Sequence, residues 1–286
     1  MKVNTLKLND PGYPDILTTI QSPPQQLFYR GESPSSWLAK PKVAVVGSRK
    51  MTPYGKAVTA KLVSELARSG VVIISGLAYG VDAAAHRAAL DASGIAVAVL
   101  GNNIEHIAPA GNYSLGLEIL TNKGTILSEY SDGHRVFASN FVIRNRIVSG
   151  LCDVLLVTEA GLKSGSLHTA RFALEQGKTV MAVPGNITSM ISEGCNNLIK
   201  SGAIPVTEAG DIFFALKIDP QKLKSRPFSG TPEAQKLLQL IREGLSDQED
   251  LALASRLDGP TISSNLTMLE ITGHIRPTGA GHWAAT

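Results

Sequence analysis

From Lys42 to about Leu216 the chain alternates short runs rich in β-branched residues with amphipathic stretches. The runs cover residues 43–46, 71–74, 95–100, 125–127, 153–157 and 179–183, and each reads as a strand buried on both faces. Between them, residues 54–69 place Val58, Leu62, Leu66 and Ala67 on one helical face, and residues 164–176 form a second helix with Leu167, Phe172 and Leu174 spread around it. Gly70, Gly94 and Gly177 stand where helices should end. Strands alternating with helices predict an α/β fold: a doubly wound, mostly parallel sheet with helices on both faces.

The flanks read differently. Residues 1–40 contain Pro11, Pro14, Pro23, Pro24 and Pro34, which predicts an irregular lead-in wrapped on a domain spanning 1–216. Residues 217–232, with Lys217, Lys222, Lys224 and Arg226 among prolines and Gly230, read as a basic linker. Helical patterns over 234–242, 247–257 and 261–271, then a hairpin over 273–284, predict a small winged-helix-like domain at 233–286.

Composition narrows the class. A chain of 286 residues can bury a full core without staples. The two cysteines, Cys152 and Cys195, have no Cys or His neighbour at ligand spacing, so they are expected to be inert thiols and no metal site is expected. No run of roughly 18 apolar residues and no secretory leader occur, which predicts a cytoplasmic protein without membrane association. The net charge of +3 does not by itself call for a polyanion. Its distribution says more: residues 231–286 carry four basic and seven acidic side chains, a balance of −3, leaving +6 on the remainder. A nucleic acid should therefore meet the body and not the tail.

Nearly every glycine-rich segment follows a strand: Gly47-Ser48-Arg49, the stretch from Ser75 to Gly80, Gly101-Asn102-Asn103, the stretch from Glu159 to Ser166, and Pro184-Gly185-Asn186. One such segment is merely a tight turn. Five on one sheet edge predict a phosphate-binding rim, because small residues let backbone amides approach an anion where helices begin. Arg49 and Lys163 supply charge within that rim, and Ser48, Ser164 and Ser166 supply hydroxyls beside Gly47 and Gly165. Neither a Walker A loop nor the dinucleotide-binding Gly-x-Gly-x-x-Gly spacing is present, so no nucleotide cofactor is expected.

Upstream of the strand at 153–157, Phe141 can stack on a base or pack in the core. Arg144 and Arg146 lie about 200° apart on a helix, so both cannot share a face. Arg144 is the preferred contact, with Arg146 either a second contact or structural. Asp82 and His86, one helical turn apart, could be an acid–base or metal pair, but the structural reading is the better one. An aspartate in a first turn meets the helix dipole and has the histidine as a reachable hydrogen-bond partner. No nucleophile–base–orienter group is evident, and no catalytic residue is assigned.

Taken together, the segment from Val43 to Arg49, residues 75–90, residues 144–151, residues 159–170, Ala182-Val183-Pro184-Gly185 and residues 192–199 resemble the DNA-processing protein A (DprA/Smf) family. The tail resembles that family's C-terminal winged-helix module. The resemblance implies an extended Rossmann-like fold, homodimers, single-stranded DNA binding and no enzymatic activity. It also implies protection of incoming DNA and loading of the RecA recombinase in natural transformation. It supports DNA-contact roles for Ser48, Arg49, Phe141, Arg144 and residues 163–166. Two positions depart: Phe141-Val142 replaces the family's usual Phe-Pro, and Ala108-Pro109 its frequent Tyr-Pro.

Two other classes compete. A nucleotide phosphoribohydrolase resembling the LOG family would share the fold, but it carries a catalytic Glu where Gly165-Ser166-Leu167 leads to His168. A transcription factor reading duplex DNA through the tail would need basic residues on the last helix, and none lies between Thr261 and Glu270.

Overall fold

In the computed structural model, the described residues are 2–131, 133–219, 230–271, 274–279 and 281–285. The chain divides into two compact units, Met1–Lys224 and Ser225–Thr286. Most of the basic linker expected over 217–232 lies outside the described residues.

The first unit is built on a nine-stranded sheet. Seven strands run parallel: β3 (Lys42–Val46), β4 (Val72–Ser75), β5 (Ala96–Asn103), β6 (Thr125–Tyr130), β7 (Val154–Val157), β8 (Thr179–Ala182) and β9 (Ile204–Pro205). Their spatial order is β6-β5-β4-β3-β7-β8-β9, so the winding reverses between β3 and β7. In an open α/β sheet, the crevice beyond the strand C-termini at such a reversal is the natural ligand position.

The six apolar runs all became parallel strands because burial on both faces is what those runs require. In β3, Val43 and Val45 join one core while Ala44 and Val46 join the other. The first core is closed by α1 (Pro53–Arg68) and α2 (Val81–Asp91), the second by α4 (Ala138–Leu151) and α5 (Ser166–Glu175). Each fully buried Leu, Ile or Val side chain there contributes roughly 1.5–3 kcal/mol relative to exposure. Thr52 caps α1 by accepting from Gly55 N, with Pro53 opening the first turn.

Two details differ from expectation. The lead-in is not irregular throughout: β1 (Asn4–Lys7) and β2 (Gln26–Gly31) pair antiparallel and extend the sheet beyond β6. Proline brackets hid them, while fully buried Trp37 anchors the segment by donating from Nε1 to Thr125 Oγ1 at 2.9 Å. Gly70 and Gly177 do end helices in the left-handed region, but after α2 that conformation falls on Ser93. Gly94 is needed for another reason: a Cβ there would stand 2.6 Å from Ala67 Cβ on α1. Both cysteines are buried free thiols, and burial pushes each up to about 12.

The second unit has helices Pro232–Arg242, Gln248–Ser255 and Gly259–Ile271, followed by β10 (Ile275–Gly279) antiparallel to β11 (His282–Ala285). Leu237, Leu238, Ile241, Leu251, Ile262, Leu266, Leu269 and Ile275 form its core. Thr231 and Asp247 cap the first two helices through their side-chain oxygens.

Candidate nucleic-acid interface

A cleft of about 1050 Å³ opens at the β3/β7 reversal. Its walls come from the Gly47–Lys50 loop after β3, the Gly161–Ser166 loop after β7, and the first two turns of α4. Of the ten residues proposed from sequence, Gly47, Ser48, Arg49, Phe141, Arg144, Lys163, Ser164, Gly165 and Ser166 line it, and Arg146 does not.

The reason for Arg146's absence is visible. It turns to the other side of α4 and pairs with Glu129, Nη2 to Oε1 at 2.6 Å, while its carbonyl accepts from Gln176 Nε2. The 200° separation on the helix thus divides the two arginines between environments.

Arg144 lines the cleft floor but is only 5 % exposed. Its Nη1 donates to the carbonyls of Gly76, at 2.7 Å, and Val99, and Nε donates to Asn145 Oδ1. Buried Asp82 faces it over Gly76, where a Cβ would stand 2.5 Å from Arg144 Nη2 and 2.7 Å from Asp82 Oδ2. Burial lowers Arg144 to about 10 despite the pull of Asp82, and the charge of Arg49 lowers it further. Burial likewise raises Asp82, with Arg144 and the amides of Ala78 and Gly76 pulling back. Arg144 is thus tied into the frame of the cleft.

The phosphate rim expected from five glycine loops is also narrower than the sequence suggests, because protein carboxylates and side-chain amides already take many of the donors. Asp82 Oδ2 accepts from Gly76 N at 3.1 Å and Ala78 N at 3.3 Å. Buried Glu159 fills the N-terminus of α1, accepting from Thr52 N at 2.7 Å and from the Thr52 hydroxyl. Ser48 N donates to the main-chain carbonyl of Glu159, and Gly185 N to the side-chain Oδ1 of Asn196. Gly47 and Gly55 are small for packing: a Cβ on Gly47 would stand 2.6 Å from Val81 Cγ2, and one on Gly55 2.5 Å from Glu159 Oε2. Replacing Glu159 with alanine should therefore lower stability by about 1–3 kcal/mol through the orphaned N–H and hydroxyl of Thr52, the residue that caps α1. A urea unfolding midpoint equal to that of the parent protein would show that this carboxylate does not hold the two loops together.

Free donors remain at the β7–α5 loop. Among the described residues, the N–H groups of Leu162, Lys163 and Gly165 have no protein acceptor. A Cβ on Gly165 would meet nothing, so that glycine borders open space. Ser164 and Ser166 share a hydroxyl–hydroxyl hydrogen bond of 2.8 Å beside it. Arg49, Lys50 and Lys163 are exposed on the cleft walls, and none enters an ion pair among the described residues. Phe141 is half-buried: it packs over Gly101 and also lines the cleft.

Sequence reasoning missed Lys50, Asn145, His168, Met190, Ile191 and Glu193, all of which line the cleft. Lys50 was signalled by its place directly after Arg49. Met190 and Ile191 precede α6 (Glu193–Lys200) and Glu193 opens it; they reach the cleft only through tertiary packing, Gly194 N donating to Ala160 O at 2.8 Å.

His86 corrects the sequence reading as well. It is completely buried, and neither ring nitrogen has a hydrogen-bond partner among the described residues, so the expected Asp82–His86 bond is not formed. Asp82 is satisfied by the loop amides instead. No group of three or more His, Cys, Asp or Glu among the described residues could hold a metal ion. No described helix is long and apolar enough to cross a membrane.

Comparison with known proteins adds to this geometry. The sequence profile of the family described as DNA recombination-mediator protein A matches residues 4–217. Protein Smf of Escherichia coli K12 is 38 % identical over 279 residues, covering 94 % of this chain and 74 % of that protein. DNA processing protein DprA of Streptococcus pneumoniae R6 is 40 % identical over 211 residues, covering 74 % of this chain and 73 % of its own length. The X-ray structure of DprA from S. pneumoniae superposes with a TM-score of 0.69 at 39 % identity, over 74 % of each chain. DNA processing protein A from Helicobacter pylori, a structure described for its single-stranded DNA binding mode, gives a TM-score of 0.67 at 33 % identity over 76 % of this chain and 96 % of that one.

Proposed function

The chain belongs to the DNA recombination-mediator protein A family, the DprA/Smf proteins, and on that premise we propose that it binds single-stranded DNA in the cleft between the β3 and β7 loops. The observation that carries the reading is the convergence of three exposed cations, Arg49, Lys50 and Lys163, on a cleft whose β7–α5 loop keeps free amides, the cations having no ion pair and the amides no acceptor among the described residues. Phosphates would track the cations and the Leu162–Gly165 amides, with the Ser164 and Ser166 hydroxyls as further donors. Phe141, which also lines the cleft, offers a base a stacking partner without reading its identity.

The role is one of binding and not of catalysis. The single-stranded DNA mode described for the H. pylori protein, 33 % identical, supports the ligand class. Within this reading the protein works in the cytoplasm as a homodimer, shields incoming single strands and loads RecA recombinase onto them in natural transformation. Family membership is what supports those finer steps. The second unit, which we read as winged-helix-like, serves a protein contact or regulation: its last helix, Gly259–Ile271, carries no basic residue to meet phosphates.

A salt titration tests the ligand assignment. Single-strand affinity should fall steeply with salt, with a log–log slope of about −0.7 per phosphate neutralised. Replacing Arg49 and Lys163 together with alanine should flatten that slope by more than one and weaken binding at least about tenfold at moderate salt. Unchanged affinity and slope in the double variant would remove this cleft from consideration.

A further inference from the structure

We propose that Tyr79 and Tyr113 form a base-stacking subsite next to the cationic cleft, a proposal that rests on the single-strand reading above. The sheet order supplies the placement. Tyr79 lies in the loop after β4, and Tyr113 opens α3 (Tyr113–Thr121), which follows β5. In the order β5-β4-β3-β7 these loops lie on the same edge as the Arg49 and Lys163 loops. Neighbouring strands are about 4.8 Å apart, so the tyrosine loops begin one and two strand spacings, roughly 5–10 Å, beyond the Arg49 loop.

Packing ties the subsite to the cleft. Ala78 lines the cleft and Tyr79 is the next residue. Gly80, with φ of +76°, presses on the cationic loop so closely that a Cβ would stand 2.1 Å from Ser48 O and 2.9 Å from Arg49 Cα. Val81 N donates to Ser48 O at 3.1 Å. On the other side, Asn112 Nδ2 donates to the carbonyls of Leu77, at 2.9 Å, and Ala78, at 3.1 Å, joining the two tyrosine loops. The Tyr79 ring rests against Gly111, where a Cβ would stand 3.0 Å from Cε1.

The Tyr79 ring is thus held against the braced loops, Tyr113 follows directly on the bracing Asn112, and 49 % of Tyr79 and 52 % of Tyr113 stay exposed. Among the described residues neither phenol hydroxyl has a hydrogen-bond partner, so no internal bond accounts for their position. Exposed aromatic surface with a polar tip, on loops packed against the cationic loop, suits a nucleobase whose phosphate is held by Arg49. Every base has a π-face, so the subsite should lengthen the binding footprint without imposing sequence preference.

The test uses the full-length protein and labelled oligothymidines of increasing length, with anisotropy as the readout. Lengthening the oligonucleotide past the cleft should raise affinity in the parent protein. Tyr79→Ala/Tyr113→Ala should remove that gain, about tenfold, and leave the shortest oligonucleotides unaffected. Tyr79→Phe/Tyr113→Phe should retain it, because stacking does not need the hydroxyl. Arg49→Ala should weaken binding at every length. Independently of any variant's folding, abasic sites placed at the extending end should abolish the same gain in the parent protein. If the alanine pair and the abasic oligonucleotides keep the full length dependence while Arg49→Ala is weakened, the stacking subsite is wrong and the cleft stands. If Arg49→Ala is also unchanged, the cleft reading fails and the subsite falls with it.

Discussion

Arg144→Met should destabilise the protein by about 3–5 kcal/mol while leaving the DNA affinity of the molecules that remain folded within a few-fold of the parent. The guanidinium is buried, donates to the Gly76 and Val99 carbonyls, and provides the counter-charge to buried Asp82. Methionine matches its stem but satisfies none of these groups, and an unpaired buried charge costs more than the hydrogen bonds themselves. Asp82→Asn in the same chain should recover part of the loss, because the amide tolerates burial without a counter-charge. Urea unfolding gives the stability, and anisotropy below the unfolding transition gives the affinity. The opposite pattern, normal stability with lost binding, would make Arg144 a direct DNA contact and overturn its assignment to the frame.

This prediction separates two meanings of a site residue that sequence could not separate. The six long apolar runs were legible as strands because a strand covered on both faces must be apolar nearly throughout, a constraint written locally. β1, β2 and β9 carry no such mark: β1 has four residues with alternating burial, β2 is bracketed by prolines and glycine, and β9 has two residues. In the cleft, Arg49 and Lys163 were legible because a cation within a glycine-rich turn at a strand end has nowhere to hide. The two loops stand side by side only because the winding reverses between β3 and β7. Arg144 was legible as important but not as internal, because its acceptors lie 68 and 45 residues away. Glu159 was the harder case. It stands in a glycine-rich segment that looks built for an anion, yet it is itself the anion for the neighbouring helix, 107 residues from Thr52. A glycine loop at a strand end predicts an anion site, and nothing local says whether the protein has already filled it.

Acid should expose the remaining buried group. Burial, and secondarily the charge of Arg144, lowers His86 from 6.5 to about 3. The folded protein therefore keeps this imidazole neutral between pH 6.5 and 3, while the unfolded chain takes up a proton there. Stability tied to His86 is fully present above about pH 6.5 and is lost as pH falls toward 3, at about 1.4 kcal/mol per pH unit. Asp82 works in the opposite sense, since burial raises its folded value and a protonated carboxyl favours the native state as pH falls. The two effects partly cancel in the parent protein, so the comparison with His86→Leu isolates the histidine. At pH 7 the leucine variant should be at least as stable as the parent, because neither ring nitrogen has a partner to lose among the described residues. Between pH 6 and 4 the parent should lose about 2–3 kcal/mol more than the variant. Urea midpoints measured across that range give the difference curve, and parallel curves would mean that His86 titrates no differently in the folded and unfolded states. A neutral His86 also matters for the cleft: a second buried positive charge beside Arg144 would push on the guanidinium that fixes the Gly76 loop, and with it the edge that carries Tyr79.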